Sequence, residues 1–409
     1  MNESEQYDVL IVGGGMVGAS LGCALAGSGL RIGIVEAVEL RSDAQPSYDD
    51  RVIALSWGSS RILRAMGIWQ ALEREGATPI ERIHVSDRGR FGAARLDRED
   101  EGVEALGYVV ESRVFGKVFA RRLARQEDPE LLCPARLKSF DIGPRRVRLL
   151  VEHDGRQRDL HARLLVAADG GNSVVREQQR IRLWRAPYGQ TAIIANVTPQ
   201  QPHRNVAYER FTDTGPLALL PMSEGRCSLV WTARDGQVSE LLALSDRQFL
   251  QRLQERFGNR LGRFLEIGRR VAYPLSLMHV RERVRPRLAI VGNAAHLLHP
   301  VAGQGFNLGL RDVAVLAEVL ADAHASGQDI GEMTVLERYG AARRGDYLRT
   351  TLFTDSLVRT FSNNIFPLTA LRDAGLVALD LLPPLKHLLA RQAMGRIGRL
   401  SRLERGVPL

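Results

Sequence analysis

The run Gly13-Gly14-Gly15-Met16-Val17-Gly18 has the spacing G-x-G-x-x-G, which can hold a dinucleotide pyrophosphate when a strand precedes it and a helix follows. Gly13 lets the turn close, Gly15 lets backbone approach the phosphates, and Gly18 lets the helix pack on the sheet. The free N–H groups at the helix start favour the anion. Glu36 ends the next strand-like run. A carboxylate there accepts hydrogen bonds from adenosine ribose hydroxyls and repels a 2′-phosphate, so the site suits FAD or NAD and disfavours NADP. A lone G-x-G-x-x-G also reads as a glycine-rich turn; strand, helix, second strand and terminal acid together outweigh that reading. No second fingerprint and no redox cysteine pair follow. The two-dinucleotide-domain disulfide reductases are therefore disfavoured, and a nicotinamide donor must visit without a nucleotide domain of its own.

Two later clusters could complete such a site. Asp169-Gly170-Gly171-Asn172-Ser173-Val174-Val175-Arg176 follows an apolar strand-like run; alone it reads as a turn with Ser173 capping a short helix. Gly292-Asn293-Ala294-Ala295-His296 leads through Pro300 to Gly303-Gln304-Gly305-Phe306-Asn307-Leu308-Gly309 and Asp312. Small residues let backbone lie against a flat ligand. The unpaired N–H groups at the start of the Gly305 helix form a partly positive end suited to the N1–C2=O edge of a reduced, anionic flavin. His296 and His299 read as structural, since no metal-ligand cluster accompanies them, and no metal site is expected.

The elements that must hold these clusters follow from periodicity. Tyr7–Val12 and Arg31–Glu36 read as buried strands around a small-residue helix over Ala19–Ser28. Ser59–Met66, Ile68–Glu75 and Val114–Gln126 read as helices. Leu137–Glu152 reads as an antiparallel ribbon about a Gly-Pro turn, and His161–Ala168 as a strand. From Gln190 to Pro274 the pattern becomes β-rich, with strands over Thr191–Val197, Asn205–Phe211, Leu217–Pro221 and Arg226–Thr232. Arg287–Gly292 returns to a buried strand, Gly303–Leu320 and Val335–Thr360 are helical, and Pro383-Pro384 precedes a last basic helix. The expected fold is α/β: a Rossmann-like FAD-binding domain with an inserted antiparallel β-rich substrate domain and a helical C-terminal region. Its boundaries fall at 1–80, 104–182 and 285–365 for the FAD-binding parts, 81–103 and 183–284 for the substrate parts, and 366–409 for the basic tail.

The 409 residues and ordinary apolar content suit an enzyme-sized core, and the net charge is +9 with a pI near 9.9. Basic charge permits nucleic acid, an anionic bilayer, or only solubility. Without interleaved aromatics or a nucleic-acid motif, nucleic acid is disfavoured. Cys23, Cys133 and Cys227 lie far apart, so neither a zinc site nor a disulfide framework is read. The polar, acidic leader Met1–Gln6 and the absence of an eighteen-residue apolar run give no signal segment or membrane span. A cytoplasmic setting, peripheral to the inner membrane, is expected.

In order and spacing the three clusters resemble those of the flavoprotein aromatic hydroxylases related to p-hydroxybenzoate hydroxylase, over nearly the whole chain. The resemblance implies non-covalent FAD. The ADP half would lie on Gly13, Gly15, Gly18 and Glu36; the pyrophosphate and nicotinamide path by Asp169, Gly170 and Arg176; ribityl and ring on Asn293, Ala294, Gly303, Gln304, Gly305 and Asn307. Arg51, heading Arg-Val-Ile-Ala-Leu-Ser56, matches the family's flavin-side arginine segment. The family's usual Gly-Asp is Gly292-Asn293 here; the amide oxygen still accepts a hydrogen bond, but a negative charge is lost. Gly-Asn-Ala-Ala, His84-Val-Ser-Asp-Arg-Gly89, Glu209-Arg-Phe-Thr212, Gly215-Pro-Leu-Ala-Leu-Leu-Pro-Met222 and Arg226-Cys-Ser-Leu-Val-Trp231 resemble the hydroxylases of ubiquinone biosynthesis.

That resemblance implies an NAD(P)H-using aromatic monooxygenase acting on 2-polyprenyl-6-methoxyphenol and dioxygen through a flavin C4a-hydroperoxide. Alternatives are a hydroxylase of another ring position in the same pathway, a flavin dehydrogenase or oxidase without oxygen insertion, and a flavin-binding assembly subunit. No catalytic acid or base is identified. Tyr208, Tyr273 and His279 are candidates, each equally at home in ordinary packing. Leu217, Leu219, Leu220 and Met222 are candidates to line or support the substrate cavity, within the limit that strand alternation sets. The tail Leu385–Leu409 carries arginines among apolar residues. It reads either as a helix docked on a membrane surface or a complex of the same pathway, or as a solvated helix packed on the flavin domain.

Overall fold

The computed structural model describes residues 5–39, 51–124, 128–361 and 366–409. Residues 1–4 of the leader and the last two of the expected helix Val114–Gln126 lie outside these. A run with Val9, Leu10 and Ile11 fully buried becomes a central strand when both its edges and both its faces are covered. Glu5–Val12 is that strand: Val9 pairs in parallel with Leu164 on one side and with Ile32 on the other. The parallel sheet runs Glu130–Leu132, Ile32–Val35, Glu5–Val12, Arg156–Ala167 and Leu288–Ile290, closed at the last edge by the short antiparallel strand Val284–Arg285. The expected ribbon is Ala135–Ile142 with Val147–His153, laid antiparallel on Arg156–Ala167, and Gly143 N donates to Arg146 O at 2.9 Å in its turn. One face of the sheet packs on the helices Met16–Leu25, Ser112–Leu123 and Gln304–Ala325.

The second sheet runs His296–Leu297, Val271–Val280, Leu183–Pro199, Cys227–Arg234, Gly215–Pro221, Val206–Thr212, Arg82–Asp87 and Ala93–Asp97, with Phe264–Ile267 also paired to Leu183–Pro199. Its ladders are antiparallel except one: Val206–Thr212 runs parallel to Arg82–Asp87, with Tyr208 opposite His84. Two helices unforeseen in the β-rich stretch, Val238–Ala243 and Asp246–Phe257, also lie there. The second of these carries a Ser245/Gln248 capping box and covers one sheet face, burying Phe249, Leu253 and Phe257 against Leu217, Leu219, Leu229 and Trp231. A small third sheet, Val52–Ser56, Gly107–Glu111 and Thr78–Ile80, forms one wall between the two larger units.

Helices Met333–Phe361, Phe366–Leu381 and Pro383–Ala393 complete the fold. The expected last helix stops at Ala393, because Gly395 at φ 71° and Gly398 at φ 102° take backbone conformations that a helix cannot contain. The chain after it is spent on the protein. Met394 O accepts from Gly58 N at 2.9 Å, Arg396 lies 4.8 Å over the Trp57 ring, Arg402 N donates to Glu318 Oε2 at 2.5 Å, and Leu403 is buried. Among the described residues no helix is long and apolar enough to cross a membrane.

Candidate active site

The first glycine cluster occupies the turn from Glu5–Val12 into Met16–Leu25. Gly13 stands at φ 104°, and a Cβ there would lie 2.5 Å from Ala168 O. A Cβ on Gly18 would lie 1.8 Å from Gly13 O, so any side chain pushes the helix off the strand end. Gly15 is the helix N-cap and offers no side-chain cap to the first-turn N–H groups. Glu36 is buried behind this turn: Oε2 accepts from Gly14 N at 2.5 Å and Oε1 from Val38 N at 2.8 Å. Its carboxylate is thereby pinned at the mouth of the fingerprint.

The second and third clusters meet through Arg176. Its buried guanidinium donates to Gly171 O at 2.7 Å and to Ala294 O at 2.9 Å, while its own N–H is capped by Ser173 Oγ at 3.0 Å. Asp169 Oδ2 accepts from Val175 N at 3.1 Å, and burial raises that carboxyl above its usual range. Behind the third cluster, Asp312 takes Gly292 N at 3.2 Å, the Tyr347 hydroxyl at 2.9 Å and Arg343 Nε at 2.8 Å. Tyr347 is also 2.6 Å from His296 Nδ1. Burial pushes His296 and His299 down to about 4, so both are neutral at pH 7 and serve as packing.

Gly303, at φ 61°, is the N-cap of Gln304–Ala325, and a Cβ on it would lie 2.8 Å from Ala54 Cβ. Asn307 ties this helix start to the Arg51 segment: Oδ1 accepts from Ser56 N at 2.8 Å, and Nδ2 donates to Ala54 O at 2.8 Å and Gly303 O at 2.7 Å. A Cβ added to Gly305 would meet nothing within 4 Å. The helix start thus presents bare backbone to open space.

That space is a cavity of about 730 Å3. Gly15, Arg51, Gly170, Asn293, Gly303, Gly305 and Asn307 line one end. Gly13, Gly18, Glu36, Asp169, Arg176, Ala294 and Gln304 stand outside the lining; Ala294 and Gln304 are buried within the protein. These features fit a flavin: a glycine-bare helix start with uncapped N–H groups, a small-residue floor, and an arginine, Arg51, stacked 4.7 Å over Tyr273 at the edge.

The other end is apolar, between one face of the second sheet and the C-terminal helices. Strand alternation turns Pro216, Ala218 and Leu220 toward the cavity, with Ile83, Val85, Ala94, Leu96, Ala207 and Phe211. Leu217 and Leu219, expected as candidates for this lining, face the opposite core with Phe249, and Met222 packs with Ile80 and Val109. Leu376, Leu379, Leu389 and Ala393 close the far side. Of the candidate acid–base residues, Tyr208 turns its ring to Phe257 (5.4 Å) on the opposite face. His279 is exposed beside Trp184 at 5.0 Å, outside the cavity, and Tyr273 remains on it. Sequence reasoning took Glu209 only as the head of the motif Glu209–Thr212 and not as an acid or base; it follows Ala207 by two residues and precedes Phe211 by two, and so shares their cavity-facing side.

Comparison with known proteins agrees with this geometry. The family described as FAD binding domain matches residues 6–346. A ubiquinone hydroxylase, UbiL, of Rhodospirillum rubrum is 42% identical over 406 residues, 98% of this chain and 93% of that protein. A 3-demethoxyubiquinol 3-hydroxylase of Escherichia coli is 31% identical over 402 residues, 96% of this chain and 99% of that one. In fold, p-nitrophenol 4-monooxygenase PnpA of Pseudomonas putida DLL-E4 superposes with a TM-score of 0.80 at 18% identity, over 96% of this chain and 100% of that one.

Proposed function

The chain belongs to the FAD binding domain family and is an FAD-dependent monooxygenase, and from that premise we propose that it hydroxylates the ring of a polyprenylated phenol in ubiquinone biosynthesis. The observation that carries this is the continuity of the cavity. It runs from the bare Gly305 helix start, along an apolar sheet face, to the inner side of the terminal helices. A ring at the first end and an isoprenoid tail at the second match that division. The near full-length likeness to a ubiquinone hydroxylase supports the same substrate class.

FAD, reduced by NAD(P)H, would supply the activation of dioxygen that delivers one oxygen atom to the ring. Gly13, Gly15, Gly18 and Glu36 would hold its adenosine half. Gly170, Asn293, Gly303 and Gly305 would lie along the ribityl and ring, with Asp169, Arg176, Ala294, Gln304 and Asn307 fixing those segments. The chain's own part is to hold the ring in line and to keep water out of the apolar end. We take residues 81–103, of which 82–87 and 93–97 share the second sheet, as part of the substrate domain together with 183–284.

The substrate we propose is 2-polyprenyl-6-methoxyphenol, hydroxylated para to its hydroxyl: the phenol oxygen donates density ortho and para, and both ortho carbons are substituted. The E. coli relative's name favours a second reading, in which another ring position is attacked. Lipid extracts of a deletion strain decide between them. Accumulation of the prenylated methoxyphenol supports the first reading; an unmethoxylated prenylphenol, or the demethoxyquinone, overturns it.

Delivery of so apolar a tail fits docking at a membrane surface. Leu376, Leu379 and Leu389 of the last two helices line the cavity, while Leu381, Leu382, Leu385 and Leu388 of the same segment are exposed. Lys386 and Arg391 accompany them on a basic chain.

A further inference from the structure

We propose that Glu209 is the proton acceptor for the phenol hydroxyl of the substrate, a catalytic residue on the sheet wall of the cavity; this rests on the phenol-hydroxylase reading above. Glu209 sits mid-strand in Val206–Thr212, opposite Val85 on one neighbour and Ala218 on the other. Its immediate neighbours on that side of the sheet are carbon: Ala207 and Phe211 along the strand, Val85 and Ala218 across it. Among the described residues it is the one carboxylate that lines the cavity. No hydrogen bond or ion pair joins its carboxyl to a described side chain or backbone group. A carboxylate is costly in such a place unless something arrives to satisfy it. The arriving group must be a donor small enough to enter an apolar cavity, and a phenol hydroxyl on an otherwise apolar molecule is such a donor.

The electrostatics agree. Burial alone pushes the Glu209 carboxyl up to about 7. The other titratable residues of the lining are Arg51 and Tyr273, which stack on each other, and Tyr208, whose ring turns to Phe257 on the opposite face of the sheet; Asp87, two residues beyond Val85 and outside the lining, is ion-paired with Arg372 at 3.2 Å. The strands Arg82–Asp87 and Gly215–Pro221 present Ile83, Val85, Pro216, Ala218 and Leu220 toward Glu209, and the helices across the cavity present Phe353, Leu357, Leu376 and Leu379. Tyr208 and His84 face each other on the opposite side of the sheet. A base poised near neutrality is ionised often enough to accept a proton and basic enough to hold it.

The step balances without a further reagent. The phenol O–H breaks, a carboxyl O–H forms on Glu209, and the electron pair stays on the phenol oxygen. That pair moves into the ring as the para carbon takes oxygen from the flavin's reaction with dioxygen, leaving a dienone. The para carbon then loses its hydrogen as a proton to solvent, the ring regains aromaticity, and Glu209 returns its proton to the oxygen.

The test uses the full-length, FAD-loaded protein with NAD(P)H, air and 2-geranyl-6-methoxyphenol, and in parallel a ring-fluorinated analogue whose phenol is more acidic. Wild-type kcat is expected to rise with pH through an inflection near the Glu209 pKa of about 7. Glu209→Gln should retain FAD, lower kcat by about 100-fold with a much smaller change in KM, and lose the inflection. The fluorinated phenol should restore the variant more than it accelerates wild type, since that ring ionises without help. Glu209→Asp should recover part of the rate together with the inflection, separating a lost base from a disturbed strand. A Gln variant that keeps the wild-type rate and inflection overturns the proposal. So does one equally slow on both phenols, which marks a structural role. If wild type hydroxylates neither phenol, the functional reading itself falls and takes this role with it.

Discussion

Replacing Asn307 with alanine tests whether this residue serves the cofactor through the protein. In the structure its amide is consumed by three partners, Ser56 N, Ala54 O and Gly303 O, at 2.7 to 2.8 Å. Asn307→Ala leaves a buried N–H without its acceptor, at about 1–3 kcal/mol, and takes one donor from each of two carbonyls, at about 0.5–1.5 kcal/mol apiece. Relaxation and non-additivity bring the total to about 3 kcal/mol. If those bonds hold the Arg51 segment and the Gly303–Gly305 turn in the arrangement that FAD needs, the penalty appears in cofactor binding. About 3 kcal/mol corresponds to roughly a 150-fold rise in the FAD dissociation constant. Flavin fluorescence quenching on titrating apoprotein measures it, with urea unfolding of the apoprotein as the companion. Asn307→Asp keeps the acceptor for Ser56 N and loses both donors, so it should fall between. An alanine variant that binds FAD as wild type does, with unchanged stability, refutes the reasoning; so would an Asp variant worse than alanine by more than its added charge explains.

Gly15→Val should abolish flavin retention through the gel-filtration step while leaving the far-UV spectrum intact; a yellow variant would show that the pyrophosphate lies elsewhere. Leu385→Glu with Leu388→Glu should weaken sedimentation with anionic liposomes and leave FAD content unchanged, since both side chains are exposed; unaltered sedimentation removes those leucines from any membrane contact. Stability should fall as pH drops from about 6.5 toward 4. Burial holds His296 and His299 down at about 4 against 6.5 for a free imidazole, so in that window the unfolded chain binds the extra protons. Each contributes up to about 1.4 kcal/mol per pH unit. His299→Asn keeps an acceptor for Val301 N and should remove about one such increment from the urea-derived slope; an unchanged slope shows that His299 does not titrate this way.

What sequence revealed of this fold was whatever backbone sterics decide locally. Gly13, Gly18 and Gly303 tolerate no Cβ where they stand, so their spacing carries the turn geometry with it. The buried parallel strands announced themselves as continuous apolar runs because they are covered on both faces. Two features were not legible. The strand Val206–Thr212 has a packed core on one side and the cavity on the other. Alternation told which residues share a side, but not which side is hollow, and Glu209 read like any polar residue of a half-buried strand. The tail stayed open between a docked and a packed helix because arginines among leucines read the same whether they face a membrane surface or are spent on aromatic rings and carboxylates, as Arg396 and Arg402 are. Glycines 395 and 398 mark the break: both stand at positive φ, where a Cβ would crowd Arg311 and Ser56 at the first and Arg349 at the second.

The one parallel ladder of the second sheet has a consequence for how the molecule is made. Arg82–Asp87 and Ala93–Asp97 leave the ribosome as a hairpin, yet the strand that covers the open edge, Val206–Thr212, pairs Tyr208 with His84 and so is synthesised 124 residues later. In the interval the hairpin presents Ile83, Val85, Ala94 and Leu96 with an unpaired edge beside them, and the intervening stretch must build much of the parallel sheet first. Closing so distant a contact is slow relative to local structure. The substrate half therefore cannot be excised as one contiguous fragment, and nascent chains stalled before Val206 expose apolar surface that chaperones would have to shield. Its cavity is complete only once the last helix that closes it, Pro383–Ala393, has been made.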